Sequence, residues 1–136
     1  MKFITENEIE TKNIAESLAA SLKGGEVILL NGELGAGKTT FTKGLVRGLG
    51  SNATVVSPTF TIMHGYTDGR ISVYHFDMYR ITFEEELYEL GLEEYMYENA
   101  VCVIEWNKFT KLPENVININ IKSLGGDRRE VEICGR

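Results

Sequence analysis

An α/β fold with a mainly parallel central sheet flanked by helices is expected of this chain on three features. Val27, Ile28, Leu29 and Leu30 form a continuous apolar run, the pattern of a strand buried on both faces of a parallel sheet. The glycine-rich stretch Gly32-Glu33-Leu34-Gly35-Ala36-Gly37-Lys38-Thr39 comes directly after it. Phe41, Leu45 and Leu49 then recur at four-residue spacing with Val46 beside them, which gives one apolar helical face. Lys43 and Arg47 fall outside that face, and Gly50 is placed to stop the helix.

The remaining elements follow in order. Ile14, Leu18 and Leu22 mark one face of a first helix that begins near Glu6 or Asn7 and ends at Gly24-Gly25. After the helix that follows the glycine-rich loop, Val55 and Val56 lead into Ser57-Pro58-Thr59-Phe60. Ile62 to Tyr66 and Ile71 to Asp77 then read as two strands joined by a turn at Asp68-Gly69. Thr82-Phe83-Glu84-Glu85 fits a capping box in front of a short helix, Phe83 to Leu90, that stops at Gly91. Ala100 to Ile104 is a second continuous apolar run, ending in Glu105-Trp106, and is the best candidate for a second buried parallel strand. Val116 to Ile121 alternates apolar residues with Asn, and Gly125-Gly126-Asp127 separates it from a run containing Val131 and Ile133. These last two segments read as a peripheral, antiparallel C-terminal hairpin.

At 136 residues with 43% hydrophobic content, the chain is expected to form a single domain over 1–136 around one core. A net charge of -6 argues against unaided binding to nucleic acid, whose phosphates reward a basic surface, so any connection to RNA is expected to run through a partner. The start, Met1-Lys2-Phe3-Ile4-Thr5-Glu6, lacks the apolar stretch of a signal peptide, and no run approaches transmembrane length. A cytoplasmic protein with no membrane association is expected. Cys102 and Cys134 lack the clustered spacing of a metal site and read as reduced structural thiols.

The glycine-rich stretch matches the P-loop pattern G-x-x-x-x-G-K-[ST]. Its chemistry is that of a phosphate cradle. Gly35 and Gly37 let the backbone aim several N–H groups at phosphate oxygens, and the following helix adds the positive end of its dipole. Lys38 is expected to reach the β- and γ-phosphates, and the Thr39 hydroxyl to bind Mg²⁺. Glu33, Leu34, Gly35, Ala36, Gly37, Lys38, Thr39 and Thr40 thus form the candidate nucleotide site, and Thr11 or Ala15 is a candidate neighbour of the base.

Such a loop also needs a carboxylate for the metal or its water shell, usually at the end of a neighbouring buried strand. Glu105 ends four apolar residues, whereas Asp77 ends a segment of more polar character, so Glu105 is assigned to the metal side. Asp77 is left to contact the metal's water shell, order the attacking water or orient a neighbouring group. Alternation puts His75 and Asp77 on one face. Arg80 is a candidate arginine finger supplied from within the chain, and Thr59 a candidate nucleotide-sensing switch residue. Asn107-Lys108-Phe109-Thr110 nearly mimics the guanine-reading N-K-x-D element, but Thr110 replaces the carboxylate that accepts guanine's N–H groups. Adenine is therefore favoured over guanine.

Taken together, Gly32 to Phe41, Ser57-Pro58-Thr59-Phe60, Tyr74-His75-Phe76-Asp77-Met78-Tyr79-Arg80 and Glu105-Trp106 resemble the TsaE family of bacterial ATPases acting in tRNA threonylcarbamoyladenosine synthesis. The resemblance spans roughly residues 3 to 110. It implies a small α/β P-loop NTPase fold, ATP and Mg²⁺ as ligands, and action beside the TsaB and TsaD proteins that modify the adenosine next to the anticodon. By that likeness Thr39 and Glu105 hold magnesium, Thr59 belongs to a switch-like loop, and Asp77 and Trp106 support hydrolysis or coupling. Asn107 stands where the family pattern has proline after Glu-Trp. Two alternatives are a small-molecule P-loop kinase, which usually needs a substrate insert and an arginine-bearing lid, and a nucleotide-binding interaction module with negligible turnover.

Overall fold

The computed structural model describes residues 1–135. Its frame is a seven-stranded sheet built from β1 (Lys2–Thr5), β2 (Val27–Asn31), β3 (Met63–Tyr66), β4 (Ser72–Asp77), β5 (Ala100–Glu105), β6 (Val116–Gly125) and β7 (Arg128–Gly135). The strand order is β1-β7-β6-β2-β5-β4-β3. Strands β6, β2, β5 and β4 run parallel to one another at the centre, while β3, β7 and β1 pair antiparallel at the flanks. The sheet is therefore mixed rather than mainly parallel.

Both continuous apolar runs lie at its middle. β2 sits between β6 and β5, and every residue of β5 is buried. Each strand faces two ways, as the period of a strand requires. Ile28, Leu30, Val101 and Val103 pack into one core with α1 (Glu8–Ala19) and α2 (Lys38–Gly48), through Ala15, Ala19, Phe41, Leu45 and Leu49. Val27, Cys102 and Ile104 face a second core with Phe76, Leu87, Leu92 and Met96, supplied in part by α3 (Glu85–Glu89) and a 3₁₀ helix over Leu92–Tyr97. Burying a Leu, Ile or Phe in these layers contributes about 1.5–3 kcal/mol each. Burial also pushes the Cys102 thiol up to about 12, which keeps it protonated and inert, whereas Cys134 is exposed; both are free.

Several expectations are corrected here. Helix α1 ends at Ala19, before Gly24-Gly25, and its buried residues are Thr11, Ala15 and Ala19; Ile14 and Leu18 are only partly buried. Close approach to α2 explains the choice of small residues: a Cβ on Gly44 would lie 2.5 Å from the Lys12 carbonyl oxygen, so large side chains cannot stand between the helices. The C-terminal hairpin is antiparallel as expected but not peripheral, because β6 hydrogen-bonds directly to β2. Strand β1 and the 3₁₀ helix are elements beyond those expected from the sequence. The capping box over Thr82 to Glu85 does not form: α3 begins at Glu85 without a side-chain cap, and the Phe83 N–H donates instead to Glu86 Oε1 at 3.1 Å. No helix among the described residues is long and apolar enough to cross a membrane.

Candidate functional site at the strand ends

The parallel strands place their C-terminal ends together, where open α/β sheets bind ligands. β2 runs out at Asn31, the glycine-rich loop follows, and α2 starts at Lys38. Gly37 is the N-cap of α2 with φ 108°, a left-handed conformation that a side chain disfavours. The cap has no side-chain hydrogen bond, and the first backbone bond of the helix is from Phe41 N–H to the Gly37 carbonyl at 2.9 Å. The N–H groups ahead of Phe41 thus have no intrahelical acceptor, and they carry the positive end of the helix dipole. Next to this helix end is a cleft of about 410 Å³ lined by Gly35, Gly37, Lys38, Thr39, Thr40, Thr59, Asp77, Glu105, Trp106 and Arg129, among others.

Across the cleft the two acid-bearing strand ends are adjacent. Asp77 and Glu105 are register partners in the parallel β4–β5 pair, both on the face toward α2 and both buried. Lys38 links Glu105 to the loop: its Nζ donates to the Gly32 carbonyl at 2.6 Å and lies 3.7 Å from Glu105 Oε1. The same ammonium sits 4.5 Å from the centre of the Trp106 ring, a cation–π contact. Trp106 has φ 56°, an uncommon backbone state for a bulky residue, and it turns the indole back over the cleft immediately after β5. Glu105 Oε2 meets His75 Nε2 at 2.5 Å.

Asp77 is committed differently. Its Oδ2 accepts from the Thr59 hydroxyl at 3.1 Å and its Oδ1 from the Tyr79 N–H at 3.0 Å, so it pins the loop around Ser57 and Thr59 to the end of β4. Thr59 also shares a 2.8 Å hydrogen bond with the Ser57 hydroxyl.

The structure thus brings together Gly35, Gly37, Lys38, Thr39, Thr40, Thr59, Asp77, Glu105 and Trp106 around one cleft. Leu34 lines it as well, although its side chain is almost wholly exposed, while Glu33 and Ala36 line the adjoining hollow beside Ile121. Thr11 is buried and its hydroxyl is engaged by Thr5 at 2.7 Å; it lines a small pocket with Gly37, Thr40 and Arg129 at the back of the loop. Ala15 is packed in the core and is not a pocket residue. Arg80 does not line the cleft; its guanidinium stacks on Phe60 at 4.5 Å.

Arg129 is the residue left unassigned by the sequence. From β7, two strands away from β2, its Nε donates to the Ala36 carbonyl at 2.7 Å, and its side chain clasps the loop. Only the β6–β7 hairpin brings it there, so no local spacing announces it. Among the described residues no group of three or more His, Cys, Asp or Glu side chains is placed to hold a metal. A hydroxyl plus a single carboxylate is the donor set that suits Mg²⁺, which keeps several waters and takes phosphate oxygens as further ligands.

A seven-stranded mixed sheet with a glycine-rich strand-to-helix loop, facing buried acids on neighbouring strands, defines an α/β protein with its cleft at the strand ends. The chain belongs to the TsaE family: the family described as "Threonylcarbamoyl adenosine biosynthesis protein TsaE" matches residues 5–131. It is 48% identical over 133 residues to a Bacillus subtilis protein named tRNA threonylcarbamoyladenosine biosynthesis protein TsaE, covering 96% of this chain and 83% of that one. A Treponema pallidum protein of the same name is 36% identical, with 98% and 100% covered. The crystal structure of YdiB from Bacillus subtilis superposes with a TM-score of 0.83 at 42% identity, covering 99% of this chain and 84% of that one.

Proposed function

We propose that this chain binds ATP with Mg²⁺ in the cleft at the start of α2 and hydrolyses it, acting beside TsaB- and TsaD-type proteins in threonylcarbamoyl modification of the tRNA adenosine next to the anticodon. Membership of a family of threonylcarbamoyladenosine biosynthesis proteins supports the pathway. The observation that carries the chemistry is the uncapped start of α2 opening onto the cleft that also holds Lys38, Asp77 and Glu105.

In this reading the free N–H groups of the loop and of the first turn of α2 bind phosphate oxygens. Lys38, now resting on the Gly32 carbonyl, exchanges that contact for the β- and γ-phosphates. Thr39 and Glu105 hold Mg²⁺, which when bound neutralises charge on the phosphates. Asp77 holds the Thr59 loop at the far wall, where ordering a water is within reach of its carboxylate. Arg129 keeps the loop's carbonyls turned away from the phosphates.

Two further features support adenine and a protein partner. Asn107 uses its side chain to cap its own turn, accepting from Phe109 N–H at 2.9 Å and donating to the Phe109 carbonyl at 3.1 Å, while Thr110 is tied to Glu84. Neither is free to read guanine. Beside the cleft, Phe60 and Tyr79 are 79% and 63% exposed, an aromatic rim of the sort that anchors protein interfaces, on a chain whose net charge of -6 does not suit gripping tRNA alone.

Calorimetry tests the ligand assignment. ATP with Mg²⁺ is expected to bind at least about tenfold more tightly than GTP, the scale of one lost base-reading contact. Equal affinities would reject the adenine reading, and no binding of either nucleotide would reject the phosphate site.

A further inference from the structure

His75 is completely buried, carries a titratable ring, and has no direct role in the chemistry proposed above. It lies on β4 two residues before Asp77 and on the same face, so its ring points beneath the cleft toward the neighbouring strand end. There its Nε2 meets Glu105 Oε2 at 2.5 Å, while the other carboxylate oxygen, Oε1, is the one directed toward Lys38 Nζ. The opposite ring nitrogen, Nδ1, is buried without a protein hydrogen-bond partner.

An apolar side chain of similar size would fill the same space and remove the unpaired Nδ1, but it would leave the buried Glu105 Oε2 without its partner. What the residue does supply is a donor at a fixed point. Where Glu105 Oε2 is the acceptor, the proton of this hydrogen bond is the one on His75 Nε2. Held from below at Oε2, the Glu105 carboxylate cannot spin about its terminal bond, and Oε1 is presented to the cleft.

We propose that His75 is the positioning residue of the magnesium carboxylate: its Nε2–H bond to Glu105 Oε2 fixes the orientation in which Oε1 faces Lys38 and the metal position. This rests on the Mg²⁺ role given to Glu105 above. Residues that orient a metal ligand through a second hydrogen bond alter metal affinity about 10- to 100-fold when removed.

Two polar replacements separate positioning from packing. Gln extends to the place of Nε2 and keeps a donor there, whereas Asn stops at the place of Nδ1 and leaves Glu105 unheld. The readout is the Mg²⁺ concentration giving half-maximal ATP binding, followed by fluorescence of Trp106, the single tryptophan of the chain. His75→Asn is expected to raise that concentration about tenfold or more, His75→Gln to leave it close to wild type, and binding of ATP in EDTA to be the same in all three. Equal Mg²⁺ dependence in the Asn and Gln variants would overturn the positioning role while leaving the magnesium site standing. A wild-type protein whose ATP binding ignores Mg²⁺ would remove both. Should the Asn variant not fold, ¹⁵N NMR of the wild-type imidazole decides the matter. A proton on Nε2 whose resonance is lost in Glu105→Ala supports the role, and an Nδ1–H tautomer overturns it.

Discussion

Lys38→Ala is expected to lower the efficiency of ATP hydrolysis by about a hundredfold or more, the scale of removing one preorganised charge donor from a phosphoryl-transfer site. The fold should survive. The lysine belongs to no apolar cluster; its ammonium rests on the Gly32 carbonyl, near Glu105 and over the Trp106 ring. Glu105 keeps its His75 partner in the variant, so the stability lost should be about 1 kcal/mol, the net value of an ordinary hydrogen bond. Thermal unfolding and steady-state phosphate release on the same preparation separate the two effects. Unchanged turnover in a folded Lys38→Ala protein would remove the glycine-rich loop from the chemistry.

The second large effect divides the two acids. Glu105→Ala should bring ATP affinity measured in Mg²⁺ down to its value in EDTA, because the carboxylate nearest Lys38 and the start of α2 is gone. Asp77→Ala should leave that affinity little changed and lower kcat about a hundredfold, the lower range for a positioned acid–base group. It should also loosen the loop at Thr59, whose hydroxyl donates to the lost carboxylate. Binding titrations with and without Mg²⁺, paired with single-turnover rates, give both numbers. The reverse pattern would exchange the roles of the two residues.

Much of this site was legible because its parts are local. Strand, glycine-rich loop and helix follow one another without a gap from Val27 to Gly48, and the apolar run before Glu105 points to a buried strand whichever neighbours it has. The hairpin around Asp68-Gly69 likewise announces itself through its turn, and it sets His75 and Asp77 on one face as alternation requires.

Long-range packing was not legible. β6 alternates isoleucines with asparagines, which resembles a surface strand. The alternation in fact records one covered face, with Ile117, Ile119 and Ile121 buried and Asn120 exposed, and says nothing of position in the sheet. The first helix offers both large and small residues at helical spacing, and the nearness of α2 selects the small ones. Arg129 reaches the loop across the hairpin from a residue separation of ninety-three, a contact no spacing rule encodes. Arg80 looked well placed by its neighbours in the chain, yet its guanidinium is spent on Phe60.

If this cleft hydrolyses ATP in the service of a modification complex, phosphate release must depend on that complex. Release should be measured for the chain alone, with TsaB- and TsaD-type partners, and with the same partners and Lys38→Ala in place of the wild-type chain, alongside a search for labelled phosphate on small metabolites. Slow release is expected of the chain alone, with a clear rise when the partners close over the exposed Phe60 and Tyr79 rim and loss of that rise in Lys38→Ala. No stimulation by correctly assembled partners, a stimulation that survives Lys38→Ala, or label transferred to a metabolite would contradict this expectation.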